Sequence, residues 1–414
     1  AATYNGNVGF LIGTLPNPGL KWEKTNTFEV GLDMSFFQHR LNANVTYYNR
    51  LTVDKYAAFS LPPSTGFSSI TNNNGKFRNQ GVEIEISGDV IKAGDFKWNS
   101  KANISYNKNI VVQLPYNGIE KNRQNGWEIY TGNTYTDEKT NMLQYEKIWV
   151  GGYQEGQEPG VIVAAVYEGV FQSDEEINAA YPGGVVTCGN NQGKTQYTPA
   201  KWATLSDAEK ANGVLLRPGD AKWKDINGDG KIDAYDQVVC GNSTPHWIGG
   251  WNNTFTWKGL TLYVQTDFAF GFKNYDRVTP WYICCGQGTY NMPVSVKDTW
   301  TPENTGAKWP QYLYADYLGA GNFSRVSTMH VYNGAYWAFR EVALSYTLPK
   351  NITKKACMQN VTVSVTGQNL GYITKFPSAQ PENSHVPNPR SQDIASGSGY
   401  PLPRTIIFGL NVTF

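Results

Sequence analysis

The segment Asp225-Ile226-Asn227-Gly228-Asp229-Gly230-Lys231-Ile232-Asp233-Ala234-Tyr235-Asp236 puts oxygen-bearing side chains at positions 1, 3, 5, 9 and 12 of a twelve-residue window. Asp225, Asn227, Asp229, Asp233 and Asp236 supply them, and Lys231 at position 7 offers its backbone carbonyl. Gly230 at position 6 accepts the positive φ that a sharp wrap demands. Hard oxygens in this order suit a hard cation, and the pattern is that of an EF-hand-type Ca²⁺ loop. Asp236 has a shorter reach than the Glu usual at position 12, which weakens bidentate coordination. No amphipathic helix pair flanks the segment, so a structural ion pinning a long loop is expected, not a switch. The competing reading is an acidic Asn-Gly/Asp-Gly turn without an ion.

Other chemistry is thin. His39, His246, His330 and His385 are scattered through turns and loops without metal-ligand spacing. Glu83/Glu85 and Glu175/Glu176 read as solvated carboxylates, and neither a lipase-type Gly-x-Ser-x-Gly nor a Walker pattern occurs. Cys188, Cys240, Cys284, Cys285 and Cys357 make an odd set; sparse loop thiols fit better than a strained vicinal disulfide at 284–285. An enzyme is not expected. With 35 Lys+Arg against 34 Asp+Glu the net charge is +1, which gives no electrostatic case for nucleic acid. Loop aromatics such as Trp281, Trp300 and Trp309 are candidate stacking platforms for a substrate or a partner.

The elements that must position these residues are strands. Mean hydropathy is −0.46, and the longest apolar run, near Val161 to Tyr167, is far short of the ~20 residues of a membrane helix. A transmembrane strand needs only ~9–11 alternating residues. From Thr25 to Phe36 one face carries Phe28, Val30, Leu32, Met34 and Phe36, the other Glu29, Gly31, Asp33 and Ser35. The same alternation recurs at about 40–49, 78–91, 96–107, 247–257, 260–270, 335–348, 360–370 and 404–414. Aromatics at 14% would furnish interfacial girdles, although an aromatic-rich soluble sandwich has similar composition.

The connections separate the two. They run short (37–39), long (50–77), short (92–95), very long (108–246), short (258–259), long (271–334), moderate (349–359) and long (371–403). One rim thus has tight turns and the other extended loops, as in an outer-membrane antiparallel β-barrel, and a sandwich has no reason to do this. Asn-x-Ser/Thr triplets such as Asn411-Val412-Thr413 match a glycosylation signal, but residues i and i+2 share a strand face and a wet lumen favours them there. Nine strands are an odd number, so at least one more is expected before Ala1, and the sequence reads as residues 1–414 of the C-terminal part of a barrel. The last strand ends Gly409-Leu410-Asn411-Val412-Thr413-Phe414, and Gly409, Val412 and Phe414 fit a C-terminal signal for barrel assembly, with Ile407 where a polar residue is usual.

Several segments together resemble the C-terminal half of SusC/RagA-type TonB-dependent transporters. They are Asn17-Pro18-Gly19-Leu20-Lys21-Trp22-Glu23, Asn79-Gln80-Gly81-Val82-Glu83, Arg217-Pro218-Gly219-Asp220 leading into the Asp225 loop, and Gly241-Asn242 to Pro245 followed by Gly249-Gly250. Trp300-Thr301-Pro302-Glu303-Asn304, Tyr346-Thr347-Leu348-Pro349, Gly367-Gln368-Asn369-Leu370 and Pro403-Arg404-Thr405 follow in family order. The resemblance implies a 22-strand barrel filled by an N-terminal plug that this sequence does not hold, with a SusD-like lipoprotein as lid. It also implies energy from TonB with ExbB and ExbD, and oligosaccharide or oligopeptide import across the outer membrane of a Bacteroidetes-like bacterium. A calcium-stabilised surface glycan-binding protein or adhesin without transport is the alternative. The substrate and the residues touching it are not readable.

Overall fold

The computed structural model describes residues 2–4, 7–9, 15–187, 194–276, 278–284, 291–313, 320–377, 380–384 and 402–414. Nine strands form one sheet: β1 (Lys24–Phe36), β2 (Leu41–Ser60), β3 (Ser69–Ala93), β4 (Phe96–Gln113), β5 (Trp247–Trp257), β6 (Leu260–Phe270), β7 (Tyr336–Thr347), β8 (Asn360–Thr374) and β9 (Thr405–Thr413). Each pairs antiparallel with the next in chain order, so the wall is an up-and-down meander. No helix of the described residues is long and apolar enough to cross a membrane, which says nothing against crossing by strands.

Alternation gives the wall two unlike faces. Phe28, Leu32 and Leu410 are 61%, 59% and 70% exposed, a placement that in water would be costly over a whole sheet. The opposite face carries Asp33, Asn44, Glu83, Glu85, Asn103 and Ser105 around a cavity of about 710 Å³. Lys101 reaches Glu85 there at 2.8 Å. Aromatic rings gather at both ends of the apolar face. Tyr106 and Trp247 meet at 4.9 Å and Phe268 and Trp337 at 4.8 Å near one rim; Trp98 and Phe255 stack at 5.6 Å near the other, with Trp257 and Tyr346 exposed beside them. Trp247 and Trp257 are ten strand steps apart, about 33 Å along β5 and roughly 25 Å in height at a usual barrel tilt. That is the height of a hydrocarbon core.

Most strand limits match the sequence expectation closely; one connection does not. The loop expected at 50–77 is largely strand, because β2 and β3 continue pairing and only 61–68 connects them. Polar residues such as Asn72, Asn73 and Asn74 fill this extension, and beyond the lipid nothing demands alternation. A bulge at Asp54 (φ 55°) redirects the ribbon there. The Asn17-Pro18-Gly19 turn docks against it: Asn17 donates to the Thr71 carbonyl at 2.9 Å, Asn73 accepts from the Lys21 amide at 2.7 Å, and Glu23 accepts from the Tyr56 amide at 2.8 Å. Gly81 has a comparable reason. A Cβ there would lie 2.6 Å from the Tyr48 hydroxyl oxygen, and that hydroxyl crosses the strand to donate to Asn107 at 3.0 Å.

A second bulge sits at Arg340, between the registers of Phe339 and Glu341. It turns the guanidinium to the polar face, where it donates to Asp267 at 2.9 Å and to Glu382 and the Tyr372 hydroxyl at 3.2 Å each. Glu382 belongs to the connection between β8 and β9, so this fork ties that loop to the wall.

Candidate functional site: the loop assembly on one rim

The 108–246 segment is not an open loop. β4 runs to Gln113, and the remainder contains the hairpin Trp127–Thr136/Leu143–Val150 and the pairs Val161–Ala164/Val238–Asn242 and Tyr167–Val170/Ala221–Trp223. A helix at Asp174–Ala180 follows Ser173, whose hydroxyl accepts from the Glu176 amide and caps it. Phe171, Ile177, Val186 and Ile232 are at most 1% exposed and share one core with Ile283, Trp309 and Phe323 from the 271–335 connection. Two loops therefore fold as one body.

Arg217-Pro218-Gly219-Asp220 is the hub between them. The Asp220 carboxylate, 1% exposed, accepts from the Arg217 amide at 2.8 Å, Gln311 at 2.7 Å and Asn322 at 2.9 Å. Burial pushes its pKa up, against these hydrogen bonds. Gly219 at φ 97° lies under Trp300, where a Cβ would come within 2.4 Å of the ring. The indole nitrogen of Trp300 donates to Gln172 at 3.0 Å.

The Asp225 segment forms a tight wrap with Gly228 and Gly230 at φ 73° and 79°. Asp225 accepts from the Gly228 and Gly230 amides at 2.7 and 2.6 Å, and Asp236 from Ile226 and Asp233 at 2.9 and 2.7 Å. Asn227 accepts from the Asp229 amide at 3.2 Å, and Asp229, itself exposed, accepts from the Lys231 amide at 2.9 Å. Asp233 receives the Tyr130 hydroxyl at 3.0 Å. Burial raises the Asp236 pKa to about 6, and the nearby charges of Asp233 and Asp225 add to the rise. Burial and Asp233 likewise raise Tyr130 above the usual phenol range. The carboxylates of Asp225, Asp233 and Asp236 are thus charge-coupled, but among the described residues no three carboxylate, imidazole or thiol groups converge as a metal cluster. The fit to calcium rests on the ligand order and the glycine turns.

Sequence reasoning missed three residues here. Ile232, at position 8, is fully buried and anchors the wrap by donating its amide to the Val186 carbonyl at 2.5 Å. Tyr130 arrives from a hairpin some hundred residues earlier in the chain. Arg325, over the Trp223 ring at 5.5 Å, faces the charges of Asp236 and Asp233. Only Ile232 left a signal, an apolar residue inside an acidic run.

Other expectations change. Trp309 is 6% exposed and stacks on His330 at 5.4 Å, so it is core and offers no surface platform. Trp300 is half-buried at the hub; the Trp281 side chain lies outside the described residues. His246 is not isolated, since it meets Glu158 at 3.2 Å, and His330 is fully buried instead of lying in an open loop. Its pKa falls to about 4 by burial. Cys240 is half-buried and Cys357 exposed, both free; Cys188, Cys285 and His385 lie outside the described residues. At the chain end, Gly409 stands opposite Ser364, Val412 pairs with Val361, and Phe414 is 81% exposed.

A meander with a membrane-tall apolar face, a polar inner face and its long loops on one rim is the wall of an outer-membrane β-barrel. A model of the family "TonB dependent receptor-like, beta-barrel" matches residues 1–238, and the chain belongs to that family. Among relatives, TonB-dependent receptor P3 of Formosa agariphila is 27% identical over 416 residues, covering 98% of this chain and 36% of its own length. TonB-dependent receptor SusC of Bacteroides thetaiotaomicron is 36% identical over 99 residues, 24% of this chain. The RagAB peptide transporter structure covers the whole chain at TM-score 0.67 and 20% identity, and the chain covers 38% of it. The chain is a barrel-wall segment of an outer-membrane TonB-dependent receptor, with its loop-bearing rim extracellular and Phe414 at the opposite, periplasmic one. It spans a little over a third of the length of the curated relatives that it matches along its length.

Proposed function

We propose that the full-length protein imports oligomeric nutrients, oligosaccharides or oligopeptides, through this barrel. TonB, with ExbB and ExbD, supplies the energy through a region N-terminal to the wall, and a SusD-like lipoprotein covers the extracellular mouth. The observation that carries the reading is the one-sided construction. A passive pore needs no folded body on its rim, whereas capture of a large, dilute ligand does. The structural likeness to a peptide transporter supports the peptide branch, and SusC among the relatives supports a lidded transporter. Deletion strains carrying the gene or its TonB-uncoupled form should differ in growth on oligomers as sole nutrient. Equal growth on every glycan and peptide pool would sink import.

The Asp225–Asp236 wrap is proposed to hold one structural Ca²⁺ through Asp225, Asn227, Asp229, the Lys231 carbonyl, Asp233 and Asp236. The ion would neutralise coupled carboxylates and hold Tyr130, Ile232 and the hub in register. Millimolar calcium should raise the melting temperature of the loop assembly by several degrees, with reversal by a chelator and loss in Asp225→Asn. An unchanged melting curve rejects the ion. Gly409, Val412 and Phe414 are proposed as the assembly signal. Removing Phe414 should cut outer-membrane levels several-fold, and full levels would argue against it.

A further inference from the structure

We infer that a cleft beside the extracellular end of β4 is a binding subsite for a carboxylate-bearing ligand. The cleft, of about 470 Å³, lies between residues 120–123, the strand Leu143–Val150 and the paired strands that carry Val161 and Val239. Its ionic groups are Lys121, Arg123 and Lys147 against the single carboxylate Glu120, a local excess of two positive charges in a chain whose whole net charge is +1.

Arg123 is the centre of the argument. Its guanidinium carbon sits over the Trp149 indole at 4.5 Å from the ring centroid. Trp149 is itself fixed, because its Nε1 edge abuts Gly126, where a Cβ would come within 2.2 Å. The side chain is only 22% exposed, and its buried Nε has no hydrogen-bond partner among the described residues. The nearest carboxylate, Glu120, stands 3.8 Å away and is 71% exposed, so water screens it. A guanidinium has five N–H donors in a rigid fork, and groups buried this far are normally paired. The indole contact holds the guanidinium in place and leaves its fork for a planar acceptor, and a carboxylate matches that fork with two parallel bonds.

The rest of the cleft says what the carboxylate is attached to. Ile148 and Val239, 45% and 49% exposed, also line the cleft and add apolar surface to its cationic groups. Lys147 holds its charge over the Tyr235 ring at 3.5 Å, with no carboxylate within ion-pair distance among the described residues. The ligand is therefore an oligomer with a carboxylate next to an apolar face. A uronate residue of a glycan and the C-terminus of a peptide share that chemistry. The cleft deepens the import reading by naming a substrate class, and rests on it only for its purpose at the mouth.

The test uses the full-length protein in detergent, titrated calorimetrically with trigalacturonate against maltotriose and with Ala-Ala-Leu against its C-terminal amide. At least one carboxylate probe should bind tenfold or more tightly than its neutral counterpart, and which one responds identifies the source. Arg123→Gln should remove that preference while leaving the neutral probes unchanged, and heat-modifiable mobility in gels reports that the barrel remains folded. Arg123→Lys, which keeps charge and loses the fork, should retain only part of the preference. No preference for either carboxylate, or an unchanged preference in both variants, overturns the subsite. Cells that bind a probe through Arg123 yet never take it up would overturn import and leave the subsite standing.

Discussion

The wall and the loop assembly use one chemical force in opposite directions. In the nine strands the large apolar side chains point outward and stay exposed, as Phe28, Leu32 and Leu410 do. In the loop assembly they turn inward, and the largest fully buried side chains, Phe171 and Phe323 among them, all lie outside the nine strands. Lipid is solvent for the first region and water for the second. The wall therefore holds by strand hydrogen bonds with hydrocarbon on one side, whereas the loops need a packed core.

That contrast is open to attack at single positions. The largest effect is expected for Phe171→Ala, which empties a filled core site and should cost about 3–5 kcal/mol of loop stability. Near-ultraviolet circular dichroism should lose the loop transition while the barrel keeps its heat-modifiable mobility; loss of both together would mean the two regions are not separate. Val264→Arg, on the apolar face between the two aromatic bands, should cost the barrel about 2–4 kcal/mol and leave the loop core unaffected. Urea titration in bilayers measures it, and a cost below ~0.5 kcal/mol would remove Val264 from lipid.

Asp220→Ala comes next. It strips the acceptor from Gln311 and Asn322 and should lower loop stability by about 2–3 kcal/mol, with faster proteolysis between residues 291 and 313. Unchanged cleavage would show that the two loops do not depend on the hub.

The smallest effect is a pH balance in the loops, with calcium chelated. Asp236 has a folded pKa of about 6, above its ordinary 3.8, so the folded state binds the extra proton and stability falls as pH rises through that window. His330 has a folded pKa of about 4, below its ordinary 6.5, so its contribution is lost as pH falls through the window between them. Asp276 and Lys308 face the imidazole and oppose each other. The two slopes nearly cancel between pH 4 and 6. His330→Phe should unmask the Asp236 slope, about 1 kcal/mol per pH unit. A melting curve as flat as the parent's would reject the pairing.

Legibility followed the same division. Strands β5 and β6 could be read to the residue because a two-faced wall in lipid forces period two. The outer halves of β2 and β3 have water on both faces, so Thr71 to Asn74 carry no alternation and looked like loop. Trp309 looked like a surface platform because its burial depends on His330 and Phe323 arriving from later in the chain, which spacing cannot show. The Asp225 wrap was visible as a ligand order, but its partners Tyr130 and Arg325 lie roughly a hundred residues away on either side.

The extended β2–β3 ribbon has a consequence for what this chain meets first. About ten residues of β2 lie beyond the length needed to cross the hydrocarbon core, and at ~3.4 Å each they carry the ribbon tip roughly 25 Å past that core at barrel tilt. The headgroup layer takes up about 6 Å of that reach and screening at physiological salt acts over about 8 Å, so the tip is some two screening lengths from the membrane's own charge. The ion pairs Lys55–Glu23 and Lys24–Asp54 stand partway up this mast. Encounters at its end are therefore governed by the ionic strength of the medium, whatever lipids the cell displays beneath it.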